Sequence, residues 1–283
     1  MPEGHTIHRL AAEHRARFLD RPVRASSPQG TFAAGAALID GRELTAAEAH
    51  GKHLFLGFGP AGWVHVHLGL FGRYELHEPS GGDGAPPPPP LPTVRLRLEH
   101  PRGGHADLRG PTACALITEP EKQALHDRLG PDPLRPPDAP GNDPERAWAR
   151  ISRSRTSIAA LLMDQKVISG VGNVYRAEVL FRHGVDPYLP GKLLPRETWL
   201  AIWSDLTALM REGVRLGRID TVRPEHTPEA MGRPPRVDDH GGEVYVYRRT
   251  AHPCLICTTP IRTAPLATRN LFWCPTCQPP HPQ

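Results

Sequence analysis

The chain has 283 residues, enough for two domains with separate cores and a small additional module. Its formal net charge is +4 with a pI near 8.9, a mild basic excess that permits a polyanionic partner without requiring one. No apolar run reaches the ~18 residues of a transmembrane helix, and the start of the chain lacks the basic and apolar segments of a secretory signal. We therefore expect no membrane association.

The chain begins MPEGHTIHRL, and Pro2 and Glu3 are its first chemically notable residues. Removal of Met1 would expose the secondary α-amine of Pro2. A free α-amine has a pKa of about 7.7–8.0, so a useful fraction of it is unprotonated at neutral pH and can attack a sugar carbon to form a Schiff base. The alternative is an ordinary frayed terminus without function.

Residues 1–118 are predicted to form a β-rich domain after an opening helix at Ile7–Phe18. Short alternating runs predict strands at His53–Phe58, Trp63–Leu68, Arg73–His77 and Val94–Glu99. The segment Ser80–Pro92 contains five consecutive prolines and is predicted to be a solvated loop.

Residues 119–149 are predicted to be an interdomain linker, because Pro131–Pro144 is proline-rich and favours stiff polyproline II. Residues 150–239 have helical periodicity. One apolar face contains Ile158, Leu161 and Leu162, and the next contains Val174, Ala177, Leu180 and Phe181.

A glycine turn separates these two helical patterns, in the sequence DQKVISGVGNVYRAE. Gly170 and Gly172 permit a tight turn, and the following helix is predicted to begin near Asn173. Backbone N–H groups at such a helix start converge on one point, which suits a phosphate. Asn173 is predicted to cap this helix or to donate an amide hydrogen bond to the same phosphate.

Residues 240–283 contain two Cys-x2-Cys pairs, formed by Cys254, Cys257, Cys274 and Cys277. This spacing predicts one tetrahedral zinc site; two disulfides are the alternative, for a secreted protein. The module has little apolar content, so its fold is expected to depend on the metal. The fifth cysteine, Cys114, is expected to be an inert buried residue.

Two arginines, Arg262 and Arg269, lie between the cysteine pairs. In a zinc-stabilised hairpin these residues form a projecting finger, from which an arginine can reach a DNA phosphate. The alternative is a solvated surface arginine without function.

Three motifs in this order, MPEG, QKVISGVGNVYRAE and LATRNLFWCPTCQ, resemble the formamidopyrimidine-DNA glycosylase/endonuclease VIII family of base-excision repair enzymes. The resemblance spans nearly the whole chain. It implies an α+β multidomain fold with an N-terminal β-sandwich, a helix–two-turn–helix domain and a C-terminal zinc hairpin. DNA is expected in the cleft between the two halves.

The resemblance also implies roles for individual residues. Pro2 becomes the nucleophile and Glu3 the acid that protonates the sugar or the leaving base. Lys52, in HGKHLFL, matches the lysine of β-elimination, and Arg269 matches the finger arginine of phosphate binding and δ-elimination. Asn173 matches the asparagine that binds a backbone phosphate.

Further DNA contacts are expected from the loop HLGLFGR, where Leu70 and Phe71 would fill the space left by a flipped base. Arg109 is a candidate for the position opposite the estranged base, or for a phosphate contact. The other expected DNA-binding residues are Lys166, Gly172, Asn173 and Arg262, and Arg155 and Arg176 are further candidates for phosphate contacts.

The chain departs from the family pattern at His5-Thr6, where many members have a glutamate at position 6, so the role of that glutamate is open here. The stretch between Gly217 and Val244 lacks a long phenylalanine-bearing lid, which favours oxidised pyrimidines. We expect a monomeric, cytoplasmic, nucleoid-associated bifunctional DNA glycosylase and AP lyase that acts on damaged DNA. The alternatives are a non-catalytic damage-binding protein on the same scaffold and a zinc-ribbon module fused to an unrelated enzyme.

Overall fold

The computed structural model describes residues 2–79, 87–237 and 242–281. Among these residues, contacts define two compact units. Pro2 and Thr6–Arg128 form unit 1, whereas Glu3–His5 and the described residues from Leu129 onward form unit 2. In the described parts of the chain, no helix is both long enough and apolar enough to cross a membrane.

Unit 1 contains two four-stranded antiparallel sheets, ordered β1-β6-β7-β5 and β2-β3-β4-β8. The elements are α1 (Gly4–Phe18, whose first residues are counted in unit 2), β1 (Arg24–Ser26), α2 (Ala33–Ile39), β2 (Ala46–His50), β3 (His53–Gly57), β4 (Trp63–His67), β5 (Arg73–His77), β6 (Val94–Glu99), β7 (His105–Arg109), β8 (Ala113–Ile117) and α3 (Glu119–Arg128).

The core of unit 1 follows from the alternation of side chains along these strands. Leu54 and Leu56 of β3 are fully buried in the same cluster as Val64 and Val66 of β4 and Leu98 of β6. Strands β3, β4, β5 and β6 begin at the residues predicted from the sequence, and two of them end one residue earlier than predicted. Of the predicted proline-rich loop, residues 80–86 lie outside the described residues, and residues 87–92 contain no helix or strand.

Unit 2 is helical and ends in a two-stranded antiparallel hairpin. Its elements are α4 (Pro144–Ile151), α5 (Ile158–Leu161), α6 (Asn173–Arg182), α7 (Arg196–Leu216), α8 (Pro228–Met231), β9 (Arg262–Leu266) and β10 (Arg269–Trp273). The hairpin side chains Leu271 and Phe272 belong to the same buried cluster as Trp199 of α7 and Tyr175 of α6. The cysteine-bearing region therefore shares a core with the helices, whereas the sequence predicted a module with almost no apolar core.

The predicted linker, residues 119–149, is folded: Glu119–Arg128 is helix α3 of unit 1, and the residues from Leu129 onward belong to unit 2. The backbone N–H of Asp132, which is fully buried, donates to Asn142 Oδ1 at 2.7 Å, and Asn142 Nδ2 donates to the carbonyl oxygens of Arg135 and Pro136 at 3.2 and 3.0 Å. An asparagine that satisfies three backbone groups fixes a loop as firmly as a turn does. The prediction of a stiff polyproline II connection at residues 131–144 was therefore wrong.

Candidate active site

The carboxylate of Glu3 is fully buried at the amino terminus of α6. It accepts backbone hydrogen bonds from Gly172 and Val174 at 2.8 Å and a longer one from Tyr175 at 3.4 Å. These are N–H groups that the helix itself leaves without partners, and the helix dipole favours a negative charge there. Glu3 is therefore a fixed anion at the start of α6.

Two close contacts hold Glu3 and Gly4 against the turn that precedes α6. The N–H of Gly4 donates to the carbonyl oxygen of Gly170 at 2.8 Å. A Cβ atom at Gly172 would lie 2.4 Å from Cδ of Glu3, and one at Gly4 would lie 2.8 Å from Cα of Gly170. Glycine is required at both positions because the Glu3 side chain occupies the space at Gly172 and the Gly170 backbone occupies it at Gly4.

The glycine turn thus gives its amide groups to an anion of the chain itself. The sequence predicted an external phosphate at these N–H groups and a cap by Asn173. Instead the N-cap is Gly172, which makes no side-chain cap, and Asn173 is the first helical residue. The predicted start of α6 near Asn173 is confirmed. The prediction that the backbone N–H groups of this turn bind a phosphate was wrong, because the Glu3 carboxylate already accepts hydrogen bonds from them.

Asn173 holds the hairpin strand β10. Its side chain is only 5% exposed, and its Nδ2 donates to the carbonyl oxygen of Asn270 at 3.0 Å. Arg176 donates to Asn173 Oδ1 and, at 3.3 Å, to the same carbonyl of Asn270. Burial lowers the pKa of Arg176 to about 10, and its guanidinium has no exposed face for a phosphate. These contacts between α6 and β10 were not predicted from the sequence, because no local pattern in either segment indicates a partner 97 residues away.

The finger arginines lie at opposite ends of the hairpin. In the β9–β10 register, Arg269 pairs with Leu266 beside the turn, and Arg262 pairs with Trp273 beside the cysteines. The turn residue Ala267 has φ +54°, and Nη1 of Arg269 donates to the carbonyl oxygen of Thr268 at 2.9 Å. Arg269 is half-buried at the tip, whereas Arg262 is exposed, as is Lys166 in the loop before α6.

The four predicted ligand atoms form one cluster. The Sγ atoms of Cys254, Cys257, Cys274 and Cys277 all lie within 4.8 Å of one another. The Cys254–Cys277 and Cys257–Cys274 sulfur distances are 3.8 and 3.4 Å. A tetrahedral metal with metal–sulfur bonds of about 2.3 Å requires sulfur–sulfur separations of about 3.8 Å. The arrangement therefore fits a bound metal ion.

Lys52 lies in the two-residue turn between β2 and β3, and its side chain is half-buried. Gly51, the first turn residue, has φ +57°, which suits a tight hairpin. Burial lowers the pKa of His67 on β4, and the positive charge of Lys52 lowers it further. The ammonium group of Lys52 therefore lies close enough to His67 to act on it electrostatically. Pro2, also in unit 1, is half-buried.

The loop between β4 and β5 presents two apolar side chains to solvent. Phe71 is 87% exposed and Leu70 is 43% exposed. The loop is closed by the Gly72 N–H, which donates to the carbonyl oxygen of Leu68 at 3.1 Å. Arg109, directly opposite Arg73 in the β5–β7 register, forms an ion pair with Glu75. Phe71 is thus exposed on a closed turn, and its insertion into DNA stays a prediction.

A histidine cluster lies on the outer face of the β2-β3-β4-β8 sheet. His53 Nδ1 lies 2.8 Å from His65 Nε2, and its ring lies 4.9 Å from that of His67. Burial, followed by the charges of neighbouring histidines, lowers the pKa of His53 to about 3. The rings of His50 and His126 also lie 4.9 Å apart. The alternation of His65 and His67 was visible in the sequence, but the contribution of the other strands and of α3 was not.

Comparisons with known proteins place the chain in a family. The formamidopyrimidine-DNA glycosylase N-terminal domain model matches residues 1–114, and the formamidopyrimidine-DNA glycosylase H2TH domain model matches residues 129–224. Endonuclease 8 1 of Mycobacterium tuberculosis is 50% identical over 279 residues, covering 98% of this chain and all of that protein. Probable endonuclease 8 2 of Streptomyces coelicolor is 30% identical and covers 98% of this chain and 94% of its own length.

Solved structures agree on the fold. The Fpg of Lactococcus lactis in complex with DNA containing an abasic site has a TM-score of 0.74 at 20% identity, over 98% of this chain and all of that one. MutM (Fpg) of Thermus thermophilus has a TM-score of 0.72 at 22% identity, over 99% and 100%. The α+β class predicted from the sequence, with N-terminal sheets, a helical region and a cysteine-bearing hairpin, is confirmed.

Together, the matched domains and the full-length relatives define a DNA glycosylase of base-excision repair. The chain belongs to the formamidopyrimidine-DNA glycosylase/endonuclease VIII family, in its endonuclease VIII branch.

Proposed function

We propose that the protein is a bifunctional enzyme that removes oxidised bases from DNA and then cleaves the strand at the resulting site. One observation carries this proposal: Glu3, the neighbour of Pro2 in the chain, is fixed by backbone N–H groups of α6 in a protein that is 50% identical to endonuclease 8 relatives. A catalytic carboxyl group must be held in place to work, and three amide contacts hold this one.

Pro2 is the proposed nucleophile once Met1 has been removed. Its amine attacks C1′ of the damaged nucleotide, the glycosidic bond breaks, and the base leaves with a proton. Opening of the sugar ring, with the ring oxygen protonated, gives an iminium ion between C1′ and the proline nitrogen. Glu3 takes up the proton that the Pro2 amine loses in the attack and passes it to the sugar oxygen or to the leaving base, and solvent supplies the second proton that these two groups need.

Lys52 and Arg269 serve the elimination steps. The iminium ion withdraws electrons and acidifies the C2′ proton, and loss of that proton expels the 3′ phosphate in β-elimination. Lys52 acts through its charge or as a proton carrier. Loss of the 5′ phosphate in δ-elimination requires stabilisation of charge on that phosphate, which the guanidinium of Arg269 at the hairpin tip provides.

Damaged DNA is the proposed substrate, and several exposed side chains suit it. Phe71 and Leu70 can enter the space left by a flipped base, since inserted apolar side chains compensate for lost stacking. Lys166 and Arg262 are exposed cations for phosphate contacts. Arg109 is proposed for the estranged base or a nearby phosphate, which requires it to exchange its ion pair with Glu75. Asn173 contributes by holding the finger strand, through its bond to Asn270.

The cysteine cluster is proposed to hold one zinc ion. Four thiolates are the ligand set of structural zinc, and the sulfur separations suit its tetrahedral geometry. When bound, zinc would stabilise the finger and take no part in the chemistry. Oxidised pyrimidines are the proposed substrates within the endonuclease VIII branch; the lid region on which this depends includes residues 238–241, which lie outside the described residues.

Borohydride trapping tests the proposal. The Met-processed protein is mixed with duplexes carrying an abasic site, thymine glycol or 8-oxoguanine. We expect a covalent adduct that maps to Pro2 by peptide mass, and faster release of thymine glycol than of 8-oxoguanine.

The matched control carries one extra alanine before Pro2 and therefore lacks the secondary amine at its terminus. It should bind the same duplexes and form no adduct at Pro2, whose nitrogen is then part of an amide. Binding without any adduct from the Met-processed protein itself would instead indicate a non-catalytic damage-binding protein.

A further inference from the structure

Unit 1 contains a cavity of about 220 Å³ that none of the proposed catalytic or DNA-binding residues lines. It lies where the carboxyl end of α1 meets the far end of the β5–β7 pair and the β6–β7 hairpin. Its lining residues are Ala16, Arg17, Phe18, Arg21, His77, Glu78, Pro79, His100, Arg102, Gly103, Gly104 and His105.

The lining is strongly basic. Three arginines face a single glutamate, and that glutamate is already paired, with Glu78 Oε1 lying 2.6 Å from Nη2 of Arg17. Arg21 and Arg102 remain as exposed positive charges without a carboxylate among the cavity residues to balance them. An anion entering this cavity would therefore meet two uncompensated guanidinium groups.

Among the described residues, the charges behind the cavity wall do not cancel this excess. Behind its wall, Asp107 is neutralised by a two-pronged contact with the buried Arg97, at 2.7 Å for both hydrogen bonds. Burial lowers the pKa of His105 and the charge of Arg97 lowers it further, although Asp107 acts in the opposite direction. The carboxyl end of α1 contributes negative partial charge, which Arg15 and Arg17 in its last turn offset.

The hydrogen bonding of His100 supplies an independent argument. Nη1 of Arg21 lies 3.1 Å from its Nε2, and the backbone N–H of Arg102 points at its Nδ1 over 3.0 Å. Both approaching groups are donors, whereas a neutral imidazole accepts at only one nitrogen. Only one of these two donors can therefore form its hydrogen bond to His100, and a phosphate oxygen at the mouth of the cavity would accept a hydrogen bond from the other.

We propose that this cavity binds a phosphate group that is attached to a sugar. Planar guanidinium donors match phosphate oxygens, and the volume leaves room for more than a bare phosphate. The stacked rings of His77 and His105, 4.6 Å apart, give the cavity a flat wall suited to a sugar or a base.

Such a phosphate has two sources, a free nucleotide or the backbone of the bound DNA. His77–His105 and Arg73–Arg109 are opposite ends of the same strand pair, four residues or about 13 Å apart. This distance equals about four base steps of B-DNA. If Arg109 contacts a duplex that runs along β5, the base pairs that flank the lesion would lie at the cavity. Of the two sources, only the DNA backbone depends on the DNA binding proposed above.

The first arm uses thymidine 5′-monophosphate as the probe and the imidazole NMR signals of the whole protein as the readout. We expect the His100 and His77 signals to shift with saturation in the millimolar range. The double variant Arg21→Met/Arg102→Met should bind at least tenfold more weakly. Arg128→Met, an exposed arginine at the end of α3, is the matched control and should bind like the wild type. The absence of saturable shifts in the wild type, or equal shifts in the double variant, would overturn the proposal for a free nucleotide.

The second arm uses a duplex with a tetrahydrofuran abasic analogue, with either three or ten base pairs flanking the lesion on each side. If the phosphate belongs to DNA, the double variant should lower the salt slope for the long duplex by about 1, since one lost phosphate contact contributes about 0.9. It should leave the short duplex unaffected. An unchanged slope together with a negative first arm refutes the proposal altogether. If the wild type binds neither duplex, the proposed function fails while the first arm still decides the cavity.

Discussion

At the scale of single residues, unit 2 contains two buried carboxylates with similar surroundings and different positions. Glu3 accepts three backbone hydrogen bonds at the start of α6. Glu178, in the middle of α6, accepts three from Tyr245, Val246 and Tyr247, and a fourth from the hydroxyl of Thr221. Glu178 also explains why residues 245–247 form no strand: their three amide groups donate to one carboxylate instead of pairing with a neighbouring strand.

The substitutions Glu3→Gln and Glu178→Gln separate stability from chemistry. Each places an amide NH2 against backbone donors, and each should lower the free energy of unfolding by about 1–3 kcal/mol. Glu178→Gln should cost at least as much, because it has one more donor. Only Glu3→Gln should reduce borohydride trapping at a temperature where both variants are folded, measured by urea unfolding and by adduct yield. Equal loss of trapping in both variants would show that Glu3 acts through folding alone.

At the scale of elements, the first turn of α6 and the β9–β10 hairpin form one structural assembly. The turn binds Glu3 through its backbone and binds β10 through the side chains of Asn173 and Arg176. The hairpin is further fixed by the cysteine cluster and by apolar side chains in the core of unit 2. The finger is therefore anchored at three places, so loss of metal should loosen it without abolishing the unit.

Removal of one ligand tests this. Cys257→Ser should lose zinc and weaken DNA binding, because three cysteines do not complete the tetrahedron. It should lower the melting temperature of unit 2 and leave unit 1 folded, measured by metal analysis, duplex binding and the number of thermal transitions.

Cys114→Ser is the matched control, since this cysteine lies in unit 1. Burial raises the pKa of its thiol to about 12, which keeps it protonated and inert. The control should retain one zinc per chain. Unchanged zinc content or unchanged DNA affinity in Cys257→Ser would contradict the proposed finger.

At the scale of the whole molecule, unit 1 contains several histidines whose pKa is lowered by burial. Burial lowers the pKa of His14 to about 4. It also lowers the pKa of His65 to about 4 and that of His53 to about 3, where neighbouring histidines add to the effect. Charged and titratable neighbours of His53 come from three elements: His65 and His67 of β4, His50 of β2 and His126 of α3.

These lowered values make stability depend on pH. The unfolded chain takes up protons near pH 6.5, whereas the folded state does so only near pH 4 or below, so unfolding binds protons and stability falls as pH drops below about 6.5. Each such histidine should contribute a slope approaching about 1.4 kcal/mol per pH unit between pH 6 and 5. Urea unfolding at pH 7.5, 6 and 5 measures it. His53→Phe should remove one histidine's share of the slope; a slope unchanged by that substitution would exclude His53 as a contributor.

The sequence by itself determined the family, the positions of four of the eight strands described in unit 1, the start of α6 and the four clustered cysteines. Each of these depends on local patterns: side-chain alternation, a glycine turn before an apolar helix face, and paired cysteines two residues apart. The proposed catalytic residues were visible for the same reason, since they lie within short motifs.

Only the tertiary structure decided which polar groups form hydrogen bonds with one another. The carboxylate at the start of α6 is that of Glu3, 169 residues from Gly172 in the sequence, and Asn173 binds Asn270 across a gap of 97 residues. The linker became a folded loop because Asn142 reaches three backbone groups, and the histidines form a cluster because four elements bring them to one face. Hydrogen-bond partners and packing neighbours depend on distance in space, and a single sequence records only distance along the chain.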